Sequence, residues 1–285
     1  MEPGQPSRTA WGAARHRAAH QLMEGGRIFT DPLAVTILGE TPEEIRADAA
    51  AHPERTPLRF FIAARSRFAE DKLAEGAAER GVSQLVVLGA GFDTQAYRNR
   101  LPGLHIFEVD HPATQTWKRA RLAEAGIPVP GKLTFASVDF EREDLRERLV
   151  AAGFDPQRRS FFAWLGVVPY LSPEAICVTL AIIAGLPGGA EVVFDYSEPA
   201  ESLSGAALEA RRELAERVAA AGEPLRAHFV PEALHEQLRG LSFTAIEDCG
   251  AAELAGLYLD PAVAAAIRAR APGQRRGAHV LHAAT

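Results

Sequence analysis

Seven short apolar runs alternate with helix-forming segments through most of this 285-residue chain, which predicts an α/β fold on a doubly wound parallel sheet. Two further observations agree. Leu85-Val86-Val87-Leu88 shows no polar alternation, as expected of a strand covered on both faces. It stops at Gly89-Ala90-Gly91, where two residues without a Cβ let backbone approach a ligand closely. A strand, a glycine turn and a helix in that order usually form a site for a nucleotide-like group.

From the N-terminus, residues 1–25 read as a partly ordered arm with a helix over Trp11–Met23. Asp31-Pro32 opens a helix through Leu38, with proline at its first position. Residues 40–56, with Pro42 and Pro53, read as a loop with a short helix. An amphipathic helix runs from Leu58 to Arg80, with Phe60, Phe61, Phe68 and Leu73 as apolar members, and Gly81 ends it. Strands are predicted at Gln84–Gly89, Leu104–Asp110, Leu133–Val138, Ser160–Val167, Glu191–Tyr196, Phe243–Asp248 and Ala278–Ala283. Helices are predicted at Thr94–Arg100, Pro112–Ala125, Glu141–Ala152, Pro173–Ala184, Gly205–Ala221 and Pro231–Leu238. The stretch 197–235 is too long for a simple crossover and reads as a helical insertion near the ligand mouth. The predicted organisation is an N-terminal arm and helical cap over 1–57, then a ligand-binding domain over 58–285.

Composition narrows the function classes. A hydrophobic fraction of 47% and a charged fraction of 24% are those of an ordinary globule. The net charge of −6 does not favour a nucleic-acid partner. No run approaches the ~20 apolar residues of a membrane span. Met1-Glu2-Pro3-Gly4 does not open a secretory signal, so a cytoplasmic location is expected. Cys177 and Cys249 read as buried, reduced thiols. The nine histidines are scattered, and no metal site is expected.

The glycine turn is not a dinucleotide fingerprint. Thr94 stands where the third glycine belongs. Asp93 sits where a pyrophosphate needs a bare helix N-terminus. A ligand with ribose and adenine but no phosphate fits better, and S-adenosyl-L-methionine is the common one. Asp110 lies 19 positions after Gly91, near the offset of ~20 at which a carboxylate meets ribose hydroxyls. It reads as a ribose ligand or as an acidic strand end facing water, with Glu108 as a possible helper. Asp139 can accept from an exocyclic amine while Phe140 lies against an adenine face, or it can cap the following helix. Asp93 can cap a helix or face the cofactor's cationic groups, and Arg65 or Arg67 can face its carboxylate. Tyr170, Tyr196 and His111 sit at strand ends as candidate bases; a packing role competes for Tyr170 and a capping or surface role for His111.

Ala64-Arg65, Leu88 through Thr94, Ala96-Tyr97-Arg98, Phe107 through Pro112 and Val138-Asp139-Phe140 together resemble the leucine carboxyl methyltransferase family. The likeness is to its bacterial branch of S-adenosylmethionine-dependent methyltransferases, often tied to secondary metabolism. It implies a class I methyltransferase fold, Rossmann-like, with seven strands and the last antiparallel. It also implies that Arg65 binds the cofactor carboxylate and that Gly89 and Gly91 pass near the methionine part. Asp110 would hold ribose, and Asp139 with Phe140 would hold adenine. Many relatives carry glutamate where this chain has Leu165, so that residue's role does not transfer and a small-molecule acceptor is favoured. The expected function is O-methylation of a carboxylate or hydroxyl on a small molecule. A cofactor-binding protein without activity and a nicotinamide-dependent oxidoreductase are the alternatives.

Overall fold

The structure, a computed structural model, describes residues 7–140, 142–270 and 277–285. Residues 1–6 of the expected arm and Glu141, the expected start of a helix, lie outside those described. Four helices precede the sheet: α1 (Arg8–Met23), α2 (Pro32–Leu38), α3 (Pro42–Ala51) and α4 (Thr56–Glu79). Then follow β1 (Gln84–Leu88), α5 (Gln95–Arg98), β2 (His105–Asp110), α6 (Pro112–Glu124), β3 (Leu133–Ser137), α7 (Leu145–Ala151), β4 (Ser160–Trp164) and α8 (Pro173–Ala184). The chain continues through β5 (Ala190–Ser197), α9 (Gly205–Ala220), α10 (Pro231–Gly240), β6 (Ala245–Gly250), α11 (Ala251–Tyr258), α12 (Pro261–Arg270) and β7 (Ala278–Ala284).

The seven strands form one sheet in the order β3-β2-β1-β4-β5-β7-β6. Strand β7 runs antiparallel to both neighbours, and the other pairings are parallel. In β1, Leu85 pairs with Ile106 on one side and Phe161 on the other, so the strand is central and all five residues are buried. Successive side chains point to opposite faces. Val86, Leu88, Phe107, Phe162 and Phe194 face one layer, with Leu149 of α7 and Ile176, Leu180 and Ile183 of α8. Leu85, Val87, Ile106, Phe161 and Val193 face the other, with Ala64, Phe68 and Leu73 of α4. A third, smaller core joins Ala14 and Ala18 of α1 to Ile37, Leu38, Ile45, Phe92 and Leu122. This cluster fixes α1 over the carboxyl end of β1.

Several boundaries depart from expectation. The fourth strand ends at Trp164 rather than Val167. Gly166 adopts φ +72° and its N–H donates to Asp195, so the ladder stops, and Val168–Tyr170 form a 3₁₀ turn. The apolar run there is a buried turn, which hydrophobicity alone does not separate from a strand. Helix α7 starts at Leu145, because Asp144 caps it by accepting from the Glu147 N–H at 2.9 Å. Asp139 is therefore not a helix cap. The short helix expected within residues 40–56 spans Pro42–Ala51 and takes up most of the expected loop. Thr41 and Glu44 make a reciprocal capping box there, a signal present in the sequence. Helices α11 and α12 were not expected; their alanine-rich segments lack sharp periodicity. Cys177 is exposed on α8, correcting its expected burial, while Cys249 is buried; both are free. No helix among the described residues is long and apolar enough to cross a membrane.

One buried ion pair network ties α4 to the sheet. Glu191 on β5 is fully buried and accepts from Arg80 at 2.8 and 2.9 Å and pairs with His282 at 3.0 Å. Burial by itself would raise its pKa, but the bonds from His282 and Arg80 outweigh it and bring the carboxyl from 4.5 to about 2. A depressed folded-state pKa stabilises the fold above the ordinary value, and that stability is lost as pH falls from 4.5 toward 2. Denaturation titrated across that window should lose on the order of 3 kcal/mol from this group. A Glu191→Gln variant should be less stable at pH 7 and lose less between those pH values. An identical pH slope in both proteins would contradict this account.

Candidate active site

The glycine turn adopts the conformation that its residues allow. Gly89 has φ +65°, and a Cβ there would lie 2.4 Å from Val167 Cγ2. Gly91 has φ +46°, and a Cβ there would lie 2.9 Å from the Ala10 Cβ on α1. Both glycines thus meet a left-handed backbone and a close approach. The Ala90 N–H donates to the Val109 carbonyl at 3.0 Å, and the Gly91 N–H donates to Asp110 Oδ2. Asp110 Oδ1 accepts from the His111 N–H at 2.7 Å. Burial raises the Asp110 pKa against the opposing pull of those two N–H groups. The turn and the end of β2 are therefore one hydrogen-bonded unit, with Ala10 of α1 packed against it.

This unit lines a cavity of about 600 Å³. Gly89, Ala90, Gly91, Asp93 and Asp110 form one wall, Asp139 and Phe140 another, and Arg65 reaches in from α4. The eight residues the family resemblance and the glycine turn favoured as cofactor-binding lie in this one space, whereas the helper Glu108 and the alternative Arg67 do not. Arg65 is 8% exposed, and its Nη1 donates to Asp195 Oδ2 at 2.6 Å. Its Nε is buried with no hydrogen-bond partner. Arg67, the alternative, instead pairs with Asp71 on the exposed side of α4. Asp93 Oδ1 accepts from the Gln95 N–H at 2.7 Å, in the turn that leads into α5. Leu165 also lines the cavity, just beyond β4.

The candidate bases separate. Tyr170 lines the cavity, and burial raises its phenol pKa, keeping the hydroxyl protonated at neutral pH. His111 lines it too, but its Nδ1 accepts from the Ala113 N–H at 3.3 Å as the N-cap of α6. Tyr196 lies outside this cavity; its hydroxyl donates to Asp248 Oδ2 at 2.7 Å and its ring stacks on His279 at 4.8 Å. Burial and the Asp248 carboxylate raise its pKa. Glu108 does not join Asp110. It is buried beside Lys118, at 2.7 Å, outside the cavity, and burial pushes its carboxyl up to about 7.

Helix α1 supplies contacts that no spacing in the sequence announced. Arg17 donates to the Phe92 carbonyl at 2.7 Å and to Asp31 Oδ2 at 2.9 Å, and it also lines the cavity. Phe92 packs edge-on against Trp117 at 4.7 Å and Trp11 at 5.7 Å. Glu223, from the predicted insertion, accepts from the Thr9 N–H and the Ser7 hydroxyl, each at 3.1 Å. It thereby closes the start of α1 over the cavity. Phe92→Ala should cost about 3–5 kcal/mol, as for a buried aromatic. Because Phe92 anchors α1, limited proteolysis should then cut within residues 8–23. Protection equal to the parent protein would argue against the anchor.

A second cavity, of about 1270 Å³, adjoins the first. Its walls include Trp11 and His16 of α1, Ile45 of α3, Phe61 of α4, and Leu214 and Val218 of α9. Ser7, Thr9, Ala13, Arg65, Gly166 and Tyr170 line both spaces. Among the described residues, no group of three or more His, Cys, Asp or Glu is arranged to hold a metal.

Comparison with known proteins decides what this site belongs to. The profile of the leucine carboxyl methyltransferase family matches residues 10–184, which carry α1, the glycine turn and both aspartates. The chain belongs to the leucine carboxyl methyltransferase family. It is 28% identical over 269 residues to Bacillus subtilis YktD, covering 84% of this chain and 86% of that protein. It is 34% identical over 189 residues to the Streptomyces coelicolor protein SCO7813, covering 64% and 66% of the two chains. Both are named as S-adenosyl-L-methionine-dependent methyltransferases. A Streptomyces avermitilis protein of the DUF574 family shares the fold, with TM-score 0.54, 18% identity and coverage of 91% and 96%. This family member is thus an S-adenosyl-L-methionine-dependent methyltransferase on a seven-stranded sheet.

Proposed function

We propose that this methyltransferase is an O-methyltransferase acting on a carboxylate or hydroxyl of a small molecule. One observation carries the reading: the cavity at the glycine turn opens into a larger one through residues common to both. A donor site and an acceptor site must meet in this way for direct transfer. The residues fit the cofactor. A glycine cradle that a Cβ would fill lies at its base, and the buried Arg65 Nε lacks a partner until a carboxylate arrives. We assign the cofactor carboxylate to Arg65, its ammonium to the acidic edge at Asp93, and its ribose to Asp110. Adenine falls to Asp139 and Phe140. We further assign residues 1–57 as a cap and 197–235 as an insertion that together enclose the acceptor.

When bound, the cofactor supplies a methyl carbon already activated by sulfonium. The chain's contribution is to position the acceptor oxygen and exclude water. Tyr170 stands at the meeting of the two cavities with its hydroxyl protonated, so it donates a hydrogen bond and orients the acceptor rather than taking a proton. A carboxylate acceptor needs no base at all. The test uses cofactor with a labelled methyl group and a panel of acids, phenols and amines. A methyl ester releases labelled methanol in alkali, whereas an ether keeps its label. Either product is expected. Label held only on nitrogen or carbon would defeat the proposal.

A further inference from the structure

The larger cavity has a charge that the chain as a whole does not. The protein carries a net charge of −6. Yet among the described residues seven arginines line this cavity (Arg8, Arg15, Arg55, Arg59, Arg65, Arg211 and Arg217) against four carboxylates, Asp48, Glu54, Asp195 and Glu213. Most of these charges are paired. Asp48 meets Arg15 at 3.2 Å and Arg55 at 3.9 Å, and Glu54 meets Arg55 at 3.6 Å. Asp195 holds Arg65 at 2.6 Å, and Arg59 is held by Glu24 at 2.7 Å. On α9, Arg211 and Arg217 have no carboxylate within 4.0 Å among the described residues. The Arg211 Nε is also buried without a hydrogen-bond partner. A guanidinium atom withdrawn from water without an acceptor is costly unless a ligand supplies one.

His16 stands among the same arginines. It lines this cavity, and its imidazole is brought down to about 4, first by burial and then by Arg217, Arg59, Arg55 and Arg65. At neutral pH His16 therefore adds no charge of its own to the cavity. Part of the wall is apolar, with Trp11, Ile45, Leu58, Phe61, Leu214 and Val218. At about 1270 Å³ the space exceeds the ~300–1,000 Å³ of an ordinary ligand pocket.

We propose that this cavity takes a large amphipathic acceptor carrying an acidic group, and that Arg211 and Arg217 of α9 bind that acid. The proposal rests on reading the cavity as the acceptor site. Guanidinium groups suit it because their planar donors match an oxyanion in pairs. The apolar wall holds the acceptor's body, and Arg211, whose Nε is already withdrawn from water, rejects neutral molecules of the same shape by remaining unpaired against them.

Two fluorescent probes of one shape separate charge from apolar fit: 8-anilinonaphthalene-1-sulfonate and N-phenyl-1-naphthylamine, which lacks the sulfonate. Each is titrated against the whole chain saturated with S-adenosylhomocysteine. The sulfonate should bind at least about tenfold more tightly than the neutral probe, a difference of about 1.4 kcal/mol. The double variant Arg211→Gln, Arg217→Gln should lose that preference while its affinity for the neutral probe is unchanged. The Arg211→Lys, Arg217→Lys variant should keep part of it, which controls for folding. Leu214→Trp, which fills the cavity, should weaken both probes. Equal affinity in the parent protein, a preference that survives the glutamine pair, or undiminished sulfonate binding in Leu214→Trp would overturn the proposal. Methyl transfer to neutral and acidic acceptors with equal efficiency would also overturn it, while leaving the O-methyltransferase reading intact. Failure to bind S-adenosylhomocysteine would instead strike that earlier reading.

Discussion

An Asp110→Asn protein is expected to bind S-adenosyl-L-methionine about a hundredfold more weakly while staying folded. A carboxylate has about four acceptor positions. Two at Asp110 are engaged by the Gly91 and His111 N–H groups. The others remain for two adjacent ribose hydroxyls. Asparagine has a single acceptor oxygen. If it faces the turn, its amide group meets the His111 N–H as donor against donor; if it is flipped, the Gly91 N–H is orphaned. Either way the hydroxyls lose a charged acceptor, and such bonds are worth about 1.5–3 kcal/mol each. Burial raises the Asp110 pKa, so cofactor affinity of the parent protein should fall on acidification sooner than for an exposed aspartate. Calorimetry across pH checks both statements. Unchanged affinity in Asp110→Asn would remove Asp110 from the site.

Gly91→Val should have the second large effect, on stability and on cofactor binding together. At φ +46°, an L side chain costs about 1–2 kcal/mol. Its Cβ would also lie 2.9 Å from Ala10 Cβ, and relief requires α1 to move off the turn. Overpacking of this kind adds about 1–3 kcal/mol. Because α1 also carries Arg17 and the contacts to Glu223, its displacement opens the cavity. Denaturant unfolding should therefore fall by about 2–5 kcal/mol, with cofactor binding undetectable. A milder pair separates the causes. Gly91→Ala combined with Ala10→Gly should recover the steric part and leave the backbone part. If the double variant were no better than Gly91→Ala alone, contact with α1 would not be the reason.

Much of this site was readable because it is local. Gly89, Gly91, Asp93 and Asp110 lie within one strand-turn-helix-strand unit, where chain geometry alone brings them together. The parallel sheet then sets the ends of β2 and β3 side by side, Asp110 beside Ser137, which brings Asp139 to the same edge. Residue pattern alone left Arg65 and Arg67 open, and the family resemblance favoured Arg65; packing then turns Arg65 toward Asp195 at the cavity and Arg67 toward Asp71 on the exposed side. Tyr196 and Tyr170 looked alike as strand-end phenols, and only the position of Asp248, 52 residues further on, showed one to be tied up.

By itself the sequence determined the α/β class, the glycine turn at the end of β1 and the cofactor the enzyme uses. Those features depend on side-chain periodicity and on residues without a Cβ, both written in short stretches of chain. Tertiary structure decided what covers the site and what the neighbouring space accepts. Glu223 reaches Ser7 and Thr9 across more than 200 positions, and Arg211 faces a cavity walled by helices from both ends of the chain. Such contacts arise from packing amphipathic helices whose partners no local pattern names.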